Sequence, residues 1–328
     1  MKLFRKLFKQ TFIYGLATVL PRMLSFLLLP LYSSVMPPGL YGEVSLVFVW
    51  FAIFNVILAY GMETAFFRFY TREKVPGRVL STALISIASS TVIFLLAFLL
   101  FRQEIASLLN IDIRYMGYFI AILCLDALVI IPFARLRATE RPAVYAIVKI
   151  ANISVNLGFN LFFLLLLPKL AENDAGGMWE AMYRPDFEVS YILISNVIAS
   201  SITLLILSGN YFKLRLEFDR ALLRRMLYYS VPVMFAGIAF TINEVFDKYL
   251  LTELLPEDIA KTEMGKYAAC YRLAMFMTLF ATAFRLGIEP FFFSHASSEN
   301  PKKAYAQITN YFVVLGSVIL LGVVVFAD

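Results

Sequence analysis

Residues 11–35 read TFIYGLATVLPRMLSFLLLPLYSSV, an apolar stretch long enough to cross a membrane. At about 1.5 Å per residue, Arg22 lies about 16 Å from its start, near the centre of a hydrocarbon layer about 30 Å thick. A guanidinium at that depth costs about 2.5 to 3.5 kcal/mol, so it normally faces a bundle interior or a wet cavity. We therefore predict that Arg22 contacts a transported substrate, with snorkelling to the membrane surface as the alternative. Pro21 and Pro30 should kink this helix.

The composition is that of a membrane protein. Hydrophobic residues make up 61% of the chain and charged residues 16%, against about 25% charged residues in soluble domains. We therefore expect an all-α integral membrane protein with about nine transmembrane helices. The predicted spans are 11–35, 44–66, 79–101, 115–134, 143–168, 188–208, 228–252, 266–288 and 304–327.

Basic residues are distributed unequally between the two sides of the membrane. Eighteen of the 29 Lys and Arg residues precede span 1 or lie in the even-numbered loops, and five lie in the odd-numbered loops. This bias places the N-terminus and the even-numbered loops in the cytoplasm. The net charge of +6 then fits anionic lipid headgroups, and we expect no nucleic-acid partner. Residues 11–35 are too long for the core of a secretory signal and stay as an anchor.

Features of an enzyme or a metalloprotein are missing from the sequence. Cys124 and Cys270 stand alone within spans 4 and 8, so we expect neither a disulfide nor a metal site. No Asp-x-Asp pair lies in a loop, and no Gly-x-x-x-x-Gly-Lys phosphate loop occurs. We therefore expect no enzyme activity and no cofactor.

Two segments that lie six spans apart share the pattern Gly-x-Glu-x-x-Phe-Phe. Gly61–Phe67 ends span 2, and Gly287–Phe293 ends span 8. The sequences that lead into these spans also correspond, Leu40–Glu43 in the first and Glu263–Lys266 in the second. Transporters carry such internal repeats, and an even separation relates the two lobes by an axis along the membrane normal.

The repeat predicts three regions. Residues 1–210 form a complete six-helix N-lobe, residues 211–227 form a cytoplasmic amphipathic linker, and residues 228–328 form the first half of a second lobe. Because three helices of that lobe are not in the sequence, we expect a truncated transporter that does not transport as it stands.

The chain resembles the bacterial polysaccharide or O-antigen flippases, which share a superfamily with the lipid II flippase and the MATE multidrug exporters. The resemblance rests on the Arg22 span, the Leu-Tyr-Gly at 40–42, residues 61–69 (GMETAFFRF), residues 137–142 (Arg-Ala-x-Glu-Arg-Pro), Asp247-Lys248 and residues 287–293 (GIEPFFF). It implies a flippase for a polyprenyl-pyrophosphate-linked oligosaccharide, in the bacterial cytoplasmic membrane. Implied partners are this lipid, membrane lipids and polysaccharide polymerase or assembly proteins.

Charged and amide side chains inside the spans are the candidate site residues, because such groups are expensive in a membrane. Arg22 or Arg272 could bind a pyrophosphate headgroup through two parallel hydrogen bonds. Arg68 is placed to contact the substrate at the cytoplasmic entrance of the cavity. The candidate substrate-binding residues are Arg22, Arg68, Asn152, Asn156, Asn160, Lys248 and Arg272. The ion-coupling candidates are Glu63, Asp126, Glu244 and Asp247.

Each group of candidates has an alternative interpretation. Glu244 and Lys248 are four residues apart and could simply neutralise each other. The three asparagines, at spacing i, i+4, i+8, suit sugar hydroxyls but could equally join helices. For the whole chain, the alternatives are a MATE-like drug or cation antiporter, for which acidic residues in the cavity would be needed, and an inactive membrane remnant.

The charge bias makes a testable prediction of topology. Cysteines introduced at Lys74, Arg137 and Arg220 should resist a membrane-impermeant maleimide applied to intact cells, because we place these loops in the cytoplasm. A cysteine at Arg184, in an odd-numbered loop, is the matched control and should be labelled. Efficient labelling at the first three positions would overturn this orientation.

Overall fold

The computed structural model describes residues 20, 21, 23–73, 75–173, 177–212, 217–295 and 301–325. Over these ranges the chain is predominantly helical and forms no strand, which confirms the all-α class. Arg22 lies outside the described residues, as do Lys74, Lys213 and Arg215.

The described chain folds into fourteen α-helices and one short π-helical segment. The first seven are α1 (Leu28–Val35), α2 (Pro38–Ala59), α3 (Met62–Arg72), α4 (Pro76–Leu100), α5 (Arg102–Leu108), α6 (Ile113–Ala138) and α7 (Pro142–Leu161). The π-helical segment Phe162–Leu166 continues α7. The others are α8 (Leu167–Asn173), α9 (Met178–Met182), α10 (Glu188–Leu207), α11 (Gly209–Phe212), α12 (Arg220–Leu254), α13 (Glu257–His295) and α14 (Pro301–Val325).

Six helical stretches of the described chain are long and apolar enough to cross a membrane. They are Pro38–Arg72, Pro76–Leu100, Ile113–Ala138, Pro142–Asn173, Glu188–Leu207 and Arg220–Leu254. These stretches coincide with predicted spans 2 to 7, while α13 and α14 coincide with spans 8 and 9. The protein is therefore a multi-pass membrane protein, although the count of nine spans is approximate.

The predicted kink in the first span occurs at Leu27. The residue forms a turn between two helical pieces, and its amide donates to the carbonyl of Leu24 at 3.1 Å. Pro30 accounts for this break, because it has no N–H to donate to the carbonyl of Phe26.

Several helices begin with residues that favour helix initiation. Pro38, Pro76 and Pro142 occupy the first turns of α2, α4 and α7, where a missing N–H is harmless. Asp112 caps α6 by accepting from the amide of Arg114 at 2.8 Å. Hydrogen bonds from the Arg114 guanidinium and amide hold the pKa of Asp112 below its usual value. Asp219 caps α12 by accepting from the amide of Leu222 at 2.9 Å.

Small residues bring α10 against α6 and α7. Ser195, Ala199 and Thr203 follow one another at helical spacing on α10 and are at most 3% exposed. In a membrane, helices associate by close packing and hydrogen bonds, because lipid tails are as apolar as the side chains. These residues therefore determine how closely the first helices of the bundle approach.

The first copy of the repeated pattern breaks its helix, and the second does not. Tyr60 and Gly61 adopt left-handed backbone angles, with φ of 33° and 69°, between α2 and α3. A Cβ atom on Gly61 would lie 2.2 Å from the carbonyl oxygen of Ser230 on α12, so only glycine fits. Gly287–Phe293 is a continuous part of α13, and its side chains lie outside the described part of the structure.

The starts of α2 and α13 cross at two glycines. A Cβ atom on Gly42 would lie 1.9 Å from the carbonyl oxygen of Lys261, and one on Gly265 would lie 2.0 Å from that of Pro38. Gly42 thus lies against the carbonyl group four residues before Gly265, and Gly265 lies against the carbonyl group four residues before Gly42. The contact is therefore symmetric. Gly42 and Gly265 belong to the two segments that the repeat pairs, at 40–43 and 263–266. Beside the crossing, Lys261 donates to Glu43 at 2.8 Å.

The last part of the linker predicted at 211–227 lies within α12. This helix runs without interruption from Arg220 to Leu254, so residues 220–227 are its first two turns. This part of α12 is anchored on the earlier helices, because Leu222 and Met226 pack with Phe66 of α3 and Val79 of α4. Its position relative to the first helices is therefore fixed by apolar contacts.

The glycine crossing can be tested by substitution. Gly42→Ala and Gly265→Ala should each destabilise the protein by about 1 to 3 kcal/mol, because the new methyl group overlaps a backbone carbonyl. Gly158→Ala is the matched control, since nothing lies within 4 Å of a Cβ at that position of α7. Thermal unfolding of the purified variants in detergent measures the difference. Equal melting temperatures for all three would show that the crossing is looser than described.

Candidate functional site

A polar cavity of about 510 Å³ lies between the first helices of the bundle and α12. Asp126 of α6, Lys149 and Asn152 of α7 and Ser200 of α10 form its polar wall. Residues Val233, Met234 and Gly237 of α12 close the opposite side. A volume of this size is typical of small-molecule sites, and the mixture of polar and apolar walls is too.

Two opposite charges face this polar cavity without pairing. Asp126 accepts a hydrogen bond from Ser200 at 2.7 Å. The Lys149 ammonium lies 4.4 Å from the centre of the Phe133 ring, a cation–π contact. Within the described ranges, no ion pair joins the Asp126 carboxylate and the Lys149 ammonium. Both groups thus keep hydrogen-bonding capacity toward the cavity.

Glu63, the third charged residue of the polar cavity, is paired. Its carboxylate accepts from Arg137 at 2.5 Å, which ties α3 to the end of α6. The Arg137 Nε atom is buried and has no hydrogen-bond partner among the described residues. Because Arg137 neutralises Glu63, the charges left to act in the cavity are those of Asp126 and Lys149.

A second, smaller cavity of about 240 Å³ lies between α1 and α2 on one side and α12 and α13 on the other. We call it the basic pocket, because Lys248 and Arg272 line it with one carboxylate, that of Glu244. The phenol groups of Tyr32 and Tyr41 complete its polar surface.

Lys248 is not held by the partner that helical spacing suggests. Its ammonium lies 3.6 Å from Asp247 Oδ1 and donates to the backbone carbonyl of Glu244 at 3.3 Å. It also lies 3.6 Å from the centre of the Tyr271 ring. The Glu244 carboxylate instead accepts from the Tyr271 hydroxyl at 3.3 Å. The side-chain pair Glu244–Lys248, which the sequence offered as an alternative to function, is therefore not formed.

Arg272 has an unsatisfied donor in the basic pocket. Its Nη1 atom is buried and makes no hydrogen bond to any described residue. A buried donor without a partner is costly, and for a charged group the cost is larger. An anion in the pocket would supply the missing acceptor.

The asparagine stripe of α7 divides between the polar cavity and the helix packing. Asn152 lines the cavity and donates to Thr203 at 2.9 Å. Asn160 is fully buried, donates to Asn156 and accepts from the Tyr32 hydroxyl at 3.0 Å, so it joins α7 to α1. Of the two roles left open, Asn152 is placed for binding and Asn160 for interhelical contact.

The other predicted site residues fall in separate places. Arg68 stacks on Tyr229 at 4.3 Å and lines neither cavity. Asp247 accepts from Tyr267 at 2.5 Å and does not line the basic pocket. Arg22 lies outside the described residues, so its predicted contact with the transported substrate stays a prediction.

Lys149 is one of the charges within the predicted spans, although the sequence assigned it neither substrate binding nor ion coupling. Ser200 was not among the predicted site residues. Ser200 carried no such signal, since serine is common where helices pack closely.

Comparison with known proteins agrees with the fold. The sequence profile described as polysaccharide biosynthesis protein matches residues 7–286. This chain belongs to that family. This match agrees with the resemblance to polysaccharide flippases that the sequence motifs carry.

Solved transporters share the fold of this polysaccharide biosynthesis family member. A mutant of the MATE transporter VcmN from Vibrio cholerae is 15% identical, with a TM-score of 0.61 over 99% of this chain and 74% of that chain. A MATE transporter in the straight conformation is 16% identical, with a TM-score of 0.59 over 98% and 72%. No curated protein sequence matches significantly. At this identity the likeness establishes the fold alone.

The divided asparagine stripe predicts different phenotypes at its two ends. Asn160→Leu should lower stability by about 1 to 2 kcal/mol, because it leaves the buried Tyr32 hydroxyl without its acceptor. Asn152→Ala should instead reduce transport while leaving the melting temperature nearly unchanged. Thermal unfolding in detergent and a transport measurement on both variants separate the two effects. The same phenotype at both positions would contradict the division.

Proposed function

We propose that this protein is a flippase that moves a lipid-linked oligosaccharide across the bacterial cytoplasmic membrane by alternating access. The oligosaccharide is carried on polyprenyl pyrophosphate, and the N-terminus lies in the cytoplasm. Family membership supports the substrate class. The observation that carries the proposal is the buried, unpartnered Nη1 of Arg272 in a pocket between two groups of helices.

A pyrophosphate supplies what the basic pocket lacks. Its oxygens accept hydrogen bonds from a guanidinium in a bidentate arrangement, and a low-dielectric surrounding strengthens the attraction. In our proposal Arg272 and Lys248 hold the headgroup, and Arg22 joins them from the first span. Tyr41 provides a hydroxyl donor at the same pocket.

The proposed motion separates two lobes, residues 1–210 and 228–328, joined by the linker at 211–227. Both cavities have one wall in the first region and one in the second. A site at such a boundary can open to either side of the membrane when one lobe rocks against the other. Polysaccharide polymerase and assembly proteins are the proposed protein partners.

A cation antiporter is the second candidate, supported by the Asp126 carboxylate, which accepts only one hydrogen bond from the described residues. Three observations weigh against it. Glu63 is paired with Arg137, Asp247 with Lys248, and the ammonium of Lys149 already occupies the cavity that Asp126 lines. We therefore favour the flippase.

Substitution of Arg272 tests the flippase directly. In the full-length transporter, expressed in cells that lack their own flippase, Arg272→Met should abolish display of surface polysaccharide, and Arg272→Lys should restore it only partly, because an ammonium cannot make the bidentate contact. Immunodetection of surface polysaccharide and of the protein in the membrane fraction gives the readout.

Arg184→Met, at an exposed position outside both cavities, is the matched control and should display normally. Normal display of surface polysaccharide by Arg272→Met would contradict the proposal that the basic pocket binds the pyrophosphate headgroup.

A further inference from the structure

The polar cavity has a chemistry that differs from that of the basic pocket. After Glu63 has paired with Arg137, one acidic and one basic side chain remain in it, Asp126 and Lys149. A phosphate here would meet the carboxylate of Asp126, which repels it. A cationic ligand would meet the Lys149 ammonium. The balance of charge therefore favours a neutral polar ligand.

The hydrogen-bonding atoms that face the polar cavity indicate which functional group such a ligand carries. Asp126 Oδ2 and Asn152 Oδ1 accept no hydrogen bond from any described residue, and the Lys149 ammonium has donors to spare. A hydroxyl group is both donor and acceptor. One hydroxyl can thus accept from Lys149 and donate to Asp126, joining the two charges that do not reach each other.

The opposite wall suits the remaining surface of such a ligand. Val233 and Met234 of α12 present apolar atoms to the cavity. A sugar ring carries hydroxyls at its rim and C–H groups on its faces, so it matches a cavity with one polar and one apolar side. The volume of about 510 Å³ admits it.

We propose that the polar cavity binds a hydroxyl-bearing sugar ring of the transported lipid, through Asp126, Lys149 and Asn152. This inference rests on the proposed function and divides the substrate between two sites, sugar in the polar cavity and pyrophosphate in the basic pocket. Met234 and Glu244, which mark the two sites on α12, are about 15 Å apart along the helix. The substrate is therefore held in an extended conformation.

Binding measurements with two probes test the division. The purified protein in lipid nanodiscs is titrated with polyprenyl pyrophosphate and with the same lipid carrying the oligosaccharide, isolated from cells without flippase activity. The wild type should bind the sugar-bearing lipid more tightly. Asp126→Asn and Lys149→Met should each weaken its binding about tenfold, through loss of a charge-assisted hydrogen bond, and leave binding of the sugar-free lipid unchanged.

Control variants separate binding from folding. Asp186→Asn and Lys169→Met change exposed residues outside the cavity and should bind both probes as the wild type does. If Lys149→Met does not yield folded protein, Lys149→Gln, which keeps a polar end, is measured in its place.

The remaining outcomes each overturn one statement. Equal binding of the two probes by the wild type, or equal weakening of both by the variants, rejects the sugar site but leaves the flippase in place. Binding of neither probe rejects the flippase itself. Binding of ethidium that disappears in Asp126→Asn shows a cation site and rejects the sugar site in favour of the antiporter.

Discussion

The crossing of α2 and α13 at Gly42 and Gly265 is the contact on which the arrangement of the bundle depends. Each glycine lies against a backbone carbonyl of the other helix, closer than any side chain would allow. Because lipid gives no hydrophobic drive to helix association, such close packing contributes much of the stabilisation. The crossing brings the second group of helices against α1 and α2, and the basic pocket lies between them.

Charge pairing then decides which buried groups remain available. Glu63 and Arg137 form a pair within the bundle, which removes a charge that would otherwise be costly in a membrane. Asp247 lies 3.6 Å from the Lys248 ammonium, which also faces the basic pocket. Arg272 keeps a buried donor without a partner. An uncompensated group of this kind is tolerated where a ligand can satisfy it, so unpaired polar atoms, rather than charges as such, mark the candidate sites.

The internal repeat contains two pairs of matching segments, and the structure treats the two pairs differently. The paired segments at Gly42 and Gly265 meet in a symmetric contact. The pattern that ends spans 2 and 8, by contrast, breaks the helix at Gly61 and continues as helix through Gly287. The reason is local: Gly61 lies against the Ser230 carbonyl of α12 and needs a left-handed backbone there. A shared sequence pattern thus does not guarantee a shared conformation.

The sequence by itself determined the class and the approximate helix spans, because the bilayer sets helix length and backbone groups must bond within each helix. Charges inside apolar spans also marked Asp126, Lys248 and Arg272 as candidates. Only the tertiary structure decided their partners. It joined Glu63 to Arg137, placed Asn152 in a cavity and buried Asn160 against Tyr32. Spacing along one helix fixes which residues share a face, but the partner across that face depends on helix rotation and crossing, which long-range packing determines.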